Sequence, residues 1–271
     1  MAALGHAVFM NRTVFIFLAL TLAASPACKK DKSADSGTTE PKVADAEESG
    51  LDPKWPTIRL NGELMSVRWS DGDSFKFKSG PYEGRGVRLM GYNTLESYGP
   101  VHRWGEWTAV ELYRIAKSSW RLGASATWDC TTDGSADGYG RVLVNCPAAA
   151  AHIISEGHAT VFAIDEESSK ELLTAQRMAM KKRVGIWEKG APLEIITSLH
   201  SADEDGENTV TYNRVVNTRT GEARQAQHKS TYETCQEVCL GGDEGSCMVY
   251  VPFSNRYKNK AECLVVREKG R

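Results

Sequence analysis

Two segments decide the fold and the chemistry that we predict: Asp71-Gly72-Asp73-Ser74 and, further along, Arg88-Leu89-Met90-Gly91-Tyr92-Asn93-Thr94-Leu95-Glu96. The first predicts an acidic turn. The second predicts a strand that carries an arginine and ends in polar residues and a glutamate. Together they would bring oxygen ligands, a cation and a base to one place, which suits chemistry on a phosphate. Taken alone, the acidic tetrapeptide is more simply a hairpin turn, because Asp-Gly is a common short-turn signal.

The residue types match what phosphodiester cleavage requires. A hard divalent cation such as Ca²⁺ binds carboxylate, amide and carbonyl oxygens, which Asp73, Asn93 and the Thr94 backbone can supply. Arg88 can stabilise the charge that grows on the phosphate, and Glu96 can orient or deprotonate the attacking water. We therefore predict a metal-dependent phosphate site in this part of the chain.

The order and spacing of the motifs resemble those of the staphylococcal nuclease (thermonuclease) family. Besides the two segments above, the resemblance rests on the turn Asp137-Gly138-Tyr139-Gly140-Arg141 and on Gly185-Ile186-Trp187, where the final helix ends. It covers about residues 57 to 190, roughly half of the chain. The resemblance implies a hydrolase, a divalent-cation-dependent endonuclease that uses Ca²⁺ and cleaves DNA, with RNA as a further substrate.

The resemblance also assigns a role to each candidate site residue, and it implies no cofactor other than the metal. It implies metal ligands at Asp73, Asn93 and Thr94, a general base at Glu96, and phosphate-binding arginines at Arg88 and Arg141.

Two residues depart from the family's usual Asp-Thr-Pro-Glu motif. Asn93 keeps an oxygen ligand but removes a charge, and Leu95 lacks the fixed φ angle of proline. A second interpretation therefore stays open. In it the same barrel is catalytically impaired and serves as a module that binds nucleic acid or an envelope component.

The pattern of apolar residues predicts strands first and helices later. Alternation predicts three strands between Trp55 and Tyr92, and helical spacing predicts a helix from Arg103 to Ser119. Further predicted elements are strands over 124–129 and 141–145 and helices over 148–156 and about 169–183. With the resemblance, the predicted class is α+β: a five-stranded β-barrel of the oligonucleotide-binding type with three helices, followed by a small disulfide-stapled C-terminal domain.

The pattern of residues 1–28 predicts an export signal. A short apolar run from Thr13 to Ala24 is followed by small residues and Cys28, as in a bacterial lipoprotein signal, and Ser25-Pro26-Ala27 would also suit ordinary signal peptidase. The chain has seven cysteines, and a lipid on Cys28 would leave an even set for disulfides. We predict an exported bacterial protein anchored to the membrane through Cys28, with a secreted or periplasmic protein as the alternative.

The rest of the chain divides by composition. Residues 29–56 are polar and charged and predict a flexible linker, and residues 57–190 are the nuclease-like domain. Residues 191–207 predict an acidic linker, and residues 208–271 a small Cys-rich domain of no recognised family. The formal charge of −2 excludes strong unspecific attraction to nucleic acid, so any grip on a DNA or RNA substrate must be local. No feature predicts a protein partner.

The cysteines outside the signal predict disulfides in an exported chain. Cys130 and Cys146 lie almost symmetrically about Gly138, which favours a disulfide that closes this hairpin. Cys235, Cys239, Cys247 and Cys263 favour two disulfides over a zinc site, because their separations fit zinc binding poorly. A helix from 223 to 240, with Cys235 and Cys239 on one face, is a further expectation.

Overall fold

A computed structural model of the chain describes residues 51–164, 166–204, 206, 210–242, 245–256 and 263. The predicted signal segment (1–28) and most of the predicted linker (29–56) lie outside these residues. None of the described helices combines the length and apolar character that crossing a membrane requires.

The chain begins with short strands and adds helices later. The strands are β1 Thr57–Leu60, β2 Glu63–Trp69, β3 Phe75–Phe77, β4 Val87–Leu89, β5 Tyr92–Thr94, β6 Val101–Arg103, β7 Trp128–Cys130, β8 Val142–Val144, β9 Ala159–Val161, β10 Glu194–Ser198, β11 Thr211–Asn217, β12 Ala223–His228, β13 Glu237–Leu240 and β14 Ser246–Val249. The helices are α1 Ala109–Ser118, the single turn α2 Trp120–Gly123, α3 Pro147–Ser155 and α4 Lys170–Lys182, and 3₁₀ turns cover Gly185–Trp187 and Phe253–Asn255.

The first half of the chain surrounds a core of strand side chains. Strands β1, β2, β3 and β7 form one sheet in the order β3-β2-β1-β7, and β4 pairs with β8 in parallel while β5 pairs with β9 antiparallel. Alternate residues of β2 and β3 point into the core, and Val67, Phe75 and Phe77 are almost completely buried there. These strands match the predicted ones, except that β1 and β9 were not anticipated.

The predicted closed five-stranded barrel is not confirmed. The strand ladders in the first half of the chain do not merge into one continuous sheet. Isolated bridges join residues between them, Lys76 with Gly86 and Thr131 with Asn145. The strands are only three residues long at several of these places, so hydrogen bonding is not continuous from one ladder to the next.

The helices follow their sequence signals. Thr108 and Glu111 form a reciprocal capping box at the start of α1, and Ser169 caps the start of α4. Helix α1 begins later than predicted, because residues 101–103 are strand β6 instead. Trp187 is almost fully buried, in a second core with Trp107 and Leu112.

The disulfide predictions are confirmed. Cys130 at the end of β7 is bonded to Cys146 just after β8. Cys235 is bonded to Cys263, and Cys239 to Cys247, so these four cysteines form two disulfides and do not form a zinc site.

The predicted helix over 223–240 is wrong. Strand β12 occupies its first part and pairs with β11 along its whole length. Strand β13 occupies its last part, where Cys239 lies opposite Cys247 of β14 and is bonded to it. A cross-strand disulfide requires the extended backbone of a hairpin, so these residues cannot be helical.

The C-terminal segment is joined to the preceding region by strand pairing. Strand β14 pairs with β6 as well as with β13. Strand β10, which lies inside the segment predicted as a linker, buries Ile195 in the core that contains Trp107 and Trp187. The division into a nuclease-like domain, a linker and a Cys-rich domain stays a prediction.

Candidate phosphate site

The acidic turn between β2 and β3 is pressed against the end of β5. A Cβ atom on Gly72 would lie 2.5 Å from Thr94 Cγ2 and 3.0 Å from Ser119 Cβ. The backbone of Gly72 also accepts a hydrogen bond of 2.7 Å from the Tyr92 hydroxyl. Only glycine allows this close approach, which carries Asp73 into the interior with 3% of its surface exposed.

Asp73 is satisfied from three directions. Its Oδ1 lies 2.7 Å from Arg88 Nη1 and accepts a 3.0 Å hydrogen bond from the Ser74 hydroxyl. Its Oδ2 accepts a 2.7 Å hydrogen bond from the backbone N–H of Thr94. A single carboxylate thus links the turn to β4 and β5.

Asn93 extends the same network. Its Oδ1 accepts a hydrogen bond of 2.6 Å from Arg88 Nη2, and its Nδ2 donates one of 2.6 Å to the carbonyl of Thr94. The structure therefore brings Asp73, Arg88, Asn93 and Thr94 together, as the sequence predicted for these four residues.

Two contacts fix the backbone at Glu96. Leu95 is 3% exposed and packs in the core with Trp104 and Trp107, which anchors the chain where the family usually has proline. The backbone N–H of Glu96 donates a 3.0 Å hydrogen bond to Nε2 of His102.

His102 is a residue whose role sequence reasoning missed. It lies in β6, is 1% exposed, and burial lowers its pKa to about 3, so the ring is neutral and Nε2 is free to accept. No motif marks a histidine six positions after Glu96, and the assignment depends on the two groups being brought together by the fold.

The carboxyl groups of the site outnumber the cation that pairs with them. Burial opposes the ionised form of Asp73, but the Arg88 charge and the Thr94 N–H outweigh it and lower the Asp73 pKa. Burial and the charge of Asp73 raise the pKa of Glu96 and raise that of Asp71 to about 8. This surplus of buried acidic groups is an environment that favours an added cation.

Arg141 approaches the site from a separate loop. Asp137 holds its guanidinium, with Nε and Nη2 both 2.7 Å from Oδ2, and the backbone N–H of Arg141 donates to Asp137 Oδ1. The side chain is 38% exposed and is not part of the Asp73 network, although its charge opposes the rise in the pKa of Glu96 that burial causes.

A second cation near Glu96 comes from the C-terminal segment. Arg256 donates hydrogen bonds to the carbonyls of Leu199 and Val251 and lies against Gly99, and its charge also opposes the rise in the pKa of Glu96. Nothing in the sequence connects Arg256 with the site.

The donor atoms suit a hard divalent cation. A carboxylate, an amide oxygen and a backbone carbonyl come together at Asp73, Asn93 and Thr94, which is the ligand chemistry of Ca²⁺. Asp73 Oδ2, Asn93 Oδ1 and the Thr94 carbonyl each already accept one hydrogen bond, and each has a second lone pair available.

Residues 86–189 match the model of the family described as staphylococcal nuclease homologue. The match confirms the predicted resemblance over these residues, and it indicates a nuclease-type function with a nucleic acid as substrate. Proteins of this family generally depend on Ca²⁺.

The matched region contains Arg88, Asn93, Thr94, Glu96 and Arg141 and begins after the turn that carries Asp73. A search among curated proteins finds no match for the chain.

The ion pair between Asp73 and Arg88 should be important for stability. Arg88→Met is expected to lower the free energy of unfolding by about 3 kcal/mol, because it leaves a buried carboxylate without its partner. Adding Asp73→Asn to that variant removes the stranded charge and should restore part of the loss. Urea unfolding of the parent, both single variants and the double variant, with chelator present, measures the coupling.

Arg85→Met is the matched control for this cycle. Arg85 is exposed and donates one hydrogen bond, to the Gly140 carbonyl, so its loss should cost no more than about 0.5 kcal/mol. Equal losses for Arg88→Met and Arg85→Met would contradict the importance of the buried pair.

Proposed function

We propose that this protein is a Ca²⁺-dependent endonuclease that hydrolyses phosphodiester bonds in DNA and RNA. The observation that carries the proposal is the network in which Asp73, Arg88, Asn93 and Thr94 are hydrogen-bonded to one another, with Glu96 next along the chain. The oxygen ligands, guanidinium and base that the reaction needs are thus supplied within one small region, most of it inside the segment that matches the nuclease family.

The metal would be held by Asp73, Asn93 and the Thr94 carbonyl. When bound, Ca²⁺ supplies positive charge that stabilises the phosphate as it becomes more negative. The residues of the chain then have to position the substrate, exclude misplaced water and accept a proton.

Glu96 is the proposed general base. Its pKa is raised by burial and by the Asp73 charge, which makes its carboxylate a better proton acceptor at neutral pH. A water oxygen forms a bond to phosphorus, Glu96 takes the proton from that water, and the ester P–O bond on the opposite side breaks. The hydrogen bond that the Glu96 backbone N–H donates to His102 fixes the backbone at this residue. It thereby sets the direction in which the Glu96 side chain leaves the backbone.

The two arginines play different parts in this proposal. Arg141 is the more exposed of the pair, so a phosphate can reach its free Nη1 while Asp137 still holds the other side of the guanidinium. Arg88 is buried between Asp73 and Asn93, and it would donate to the phosphate from within the site.

The alternative is a catalytically impaired barrel that binds nucleic acid without cleaving it. One observation favours it: Arg88 already donates to both Asp73 and Asn93, so an internal cation engages two of the three proposed ligands. Replacement of the family's aspartate by Asn93 also leaves one charge fewer to attract Ca²⁺.

Glu96→Gln tests the proposed base. Cleavage of denatured DNA by the full chain in Ca²⁺ is expected to fall by at least about a hundredfold, because the amide cannot accept the proton. The control is Glu106→Gln, an exposed glutamate, which should cleave like the parent. A Glu96→Gln protein that folds and cleaves at the parental rate would exclude Glu96 as the base.

Asn93→Asp separates the enzyme from the binding module. The added carboxylate should lower the Ca²⁺ concentration needed for half-maximal release of acid-soluble nucleotides, since a second charged ligand strengthens Ca²⁺ binding. Release by the parent that stops when chelator is added supports the enzyme. A parent that is silent at every Ca²⁺ concentration, with activity in Asn93→Asp, would support the impaired barrel.

We also propose that the protein is exported and carries a lipid on Cys28. The three disulfides support export, because such bonds persist in oxidising compartments. Full-length protein made in a bacterial host should partition into the detergent phase, and Cys28→Ser should move it to the aqueous phase. Equal partitioning of the two proteins would contradict the lipid anchor.

A further inference from the structure

A groove of about 440 Å³ lies beside the candidate phosphate site. We call it the aromatic groove, and its lining consists of aromatic, basic and small residues. They are Lys54, Trp55, Pro56, Arg68, Trp69, Ser70, Tyr98, Lys117 and Trp120.

We propose that the aromatic groove binds the unpaired bases and phosphates of the substrate strand next to the cleaved phosphate. This inference rests on the proposed nuclease function and adds to it the surface along which the unpaired strand would lie. The argument has three parts, which concern the aromatic rings, the charge and the position of the groove.

Two of the rings in the groove are open to solvent. Trp120 and Tyr98 are each 40% exposed, whereas Trp104, Trp107 and Trp187 are almost completely buried. Flat exposed rings are the surfaces on which unpaired bases stack, and stacking tolerates any sequence because every base has a π face.

The charge in the groove is positive. Its lining includes Arg68 and Lys117 and no acidic residue, and a third lining cation, Lys54, is paired with Asp52 outside the lining at 2.7 Å from Nζ to Oδ2. Cations lie against the rings: Lys117 Nζ is 3.9 Å from the centre of the Tyr98 ring, and Lys78 Nζ is 5.0 Å from that of Trp55. Alternating rings and cations suit a ligand that alternates bases and phosphates.

Arg68 adds a further sign that an anion is expected there. It is directly opposite Lys76 across β2 and β3, and both side chains are exposed. Like charges opposite each other destabilise a sheet, and among the described residues neither has a carboxylate within ion-pair distance. A bound phosphate would relieve this repulsion.

The groove adjoins the phosphate site along the chain. Ser70 lines the groove and directly precedes Asp71, and Tyr98 is two residues beyond Glu96. The Tyr98 hydroxyl donates a 3.3 Å hydrogen bond to the Ser70 carbonyl, which ties these two lining segments together. A strand whose scissile phosphate lies by Glu96 would therefore pass directly into the aromatic groove.

Binding by an inactive full-length protein tests the proposal. In a Glu96→Gln background, fluorescence anisotropy with a labelled 12-nucleotide single strand should show that Trp120→Ala raises the Kd at least about fivefold. Trp120→Phe, which keeps a ring, should stay close to the background protein. Lys117→Ala should also raise the Kd, and it should flatten the dependence on salt because one phosphate contact is lost.

The controls are exposed residues outside the groove. Met178→Ala and Lys181→Ala on α4 remove an exposed apolar and an exposed basic side chain, and both should leave the Kd unchanged. An unchanged Kd for Trp120→Ala, or competition by duplex DNA as strong as by single strand, would overturn the proposal.

The two proposals fail in different ways. If the protein is not a nuclease, the parent will not cleave in Ca²⁺, yet single-strand binding and its dependence on Trp120 can still be measured. If the groove proposal fails, the parent still cleaves in Ca²⁺, while Trp120→Ala and its background protein bind the single strand equally well.

Discussion

The arrangement of the site depends on the ion pair between Asp73 and Arg88. An ionised carboxylate is costly in an interior unless it is paired and hydrogen-bonded, and Asp73 is almost wholly buried. Arg88 on β4 and the Thr94 N–H on β5 together meet that requirement. Because the partners belong to two different strands, satisfying this one carboxylate fixes both strand ends against the acidic turn.

Packing supports the same arrangement from the other side. The turn can lie against Thr94 because residue 72 has no side chain. Leu95 buries its side chain with Trp104 and Trp107, and this packing fixes the backbone just before Glu96. The position of Glu96 is thus defined without the restricted φ of a proline. Core burial thus performs here the positioning that the family usually obtains from backbone stiffness.

The C-terminal segment contributes to this region although it lies beyond the part that matches the nuclease family. Strand β14 pairs with β6, the strand that carries His102, and places Met248 opposite His102. Arg256 brings a positive charge towards Glu96. A change in this segment would therefore affect the position and the pKa of Glu96 at a distance in the sequence.

Local signals in the sequence determined much of this protein. The acidic turn, the strand that carries Arg88, the Ser169 cap and the disulfide between Cys130 and Cys146 all depend on residues close together along the chain or symmetrically placed about one turn. Tertiary structure alone decided that His102 accepts from Glu96, that Arg256 lies near the site, and that residues 223–240 form strands. These depend on hydrogen bonds and burial between distant residues. Strand β12 has half-buried and exposed side chains, most of them polar, and so it carries no apolar period that would reveal its partner.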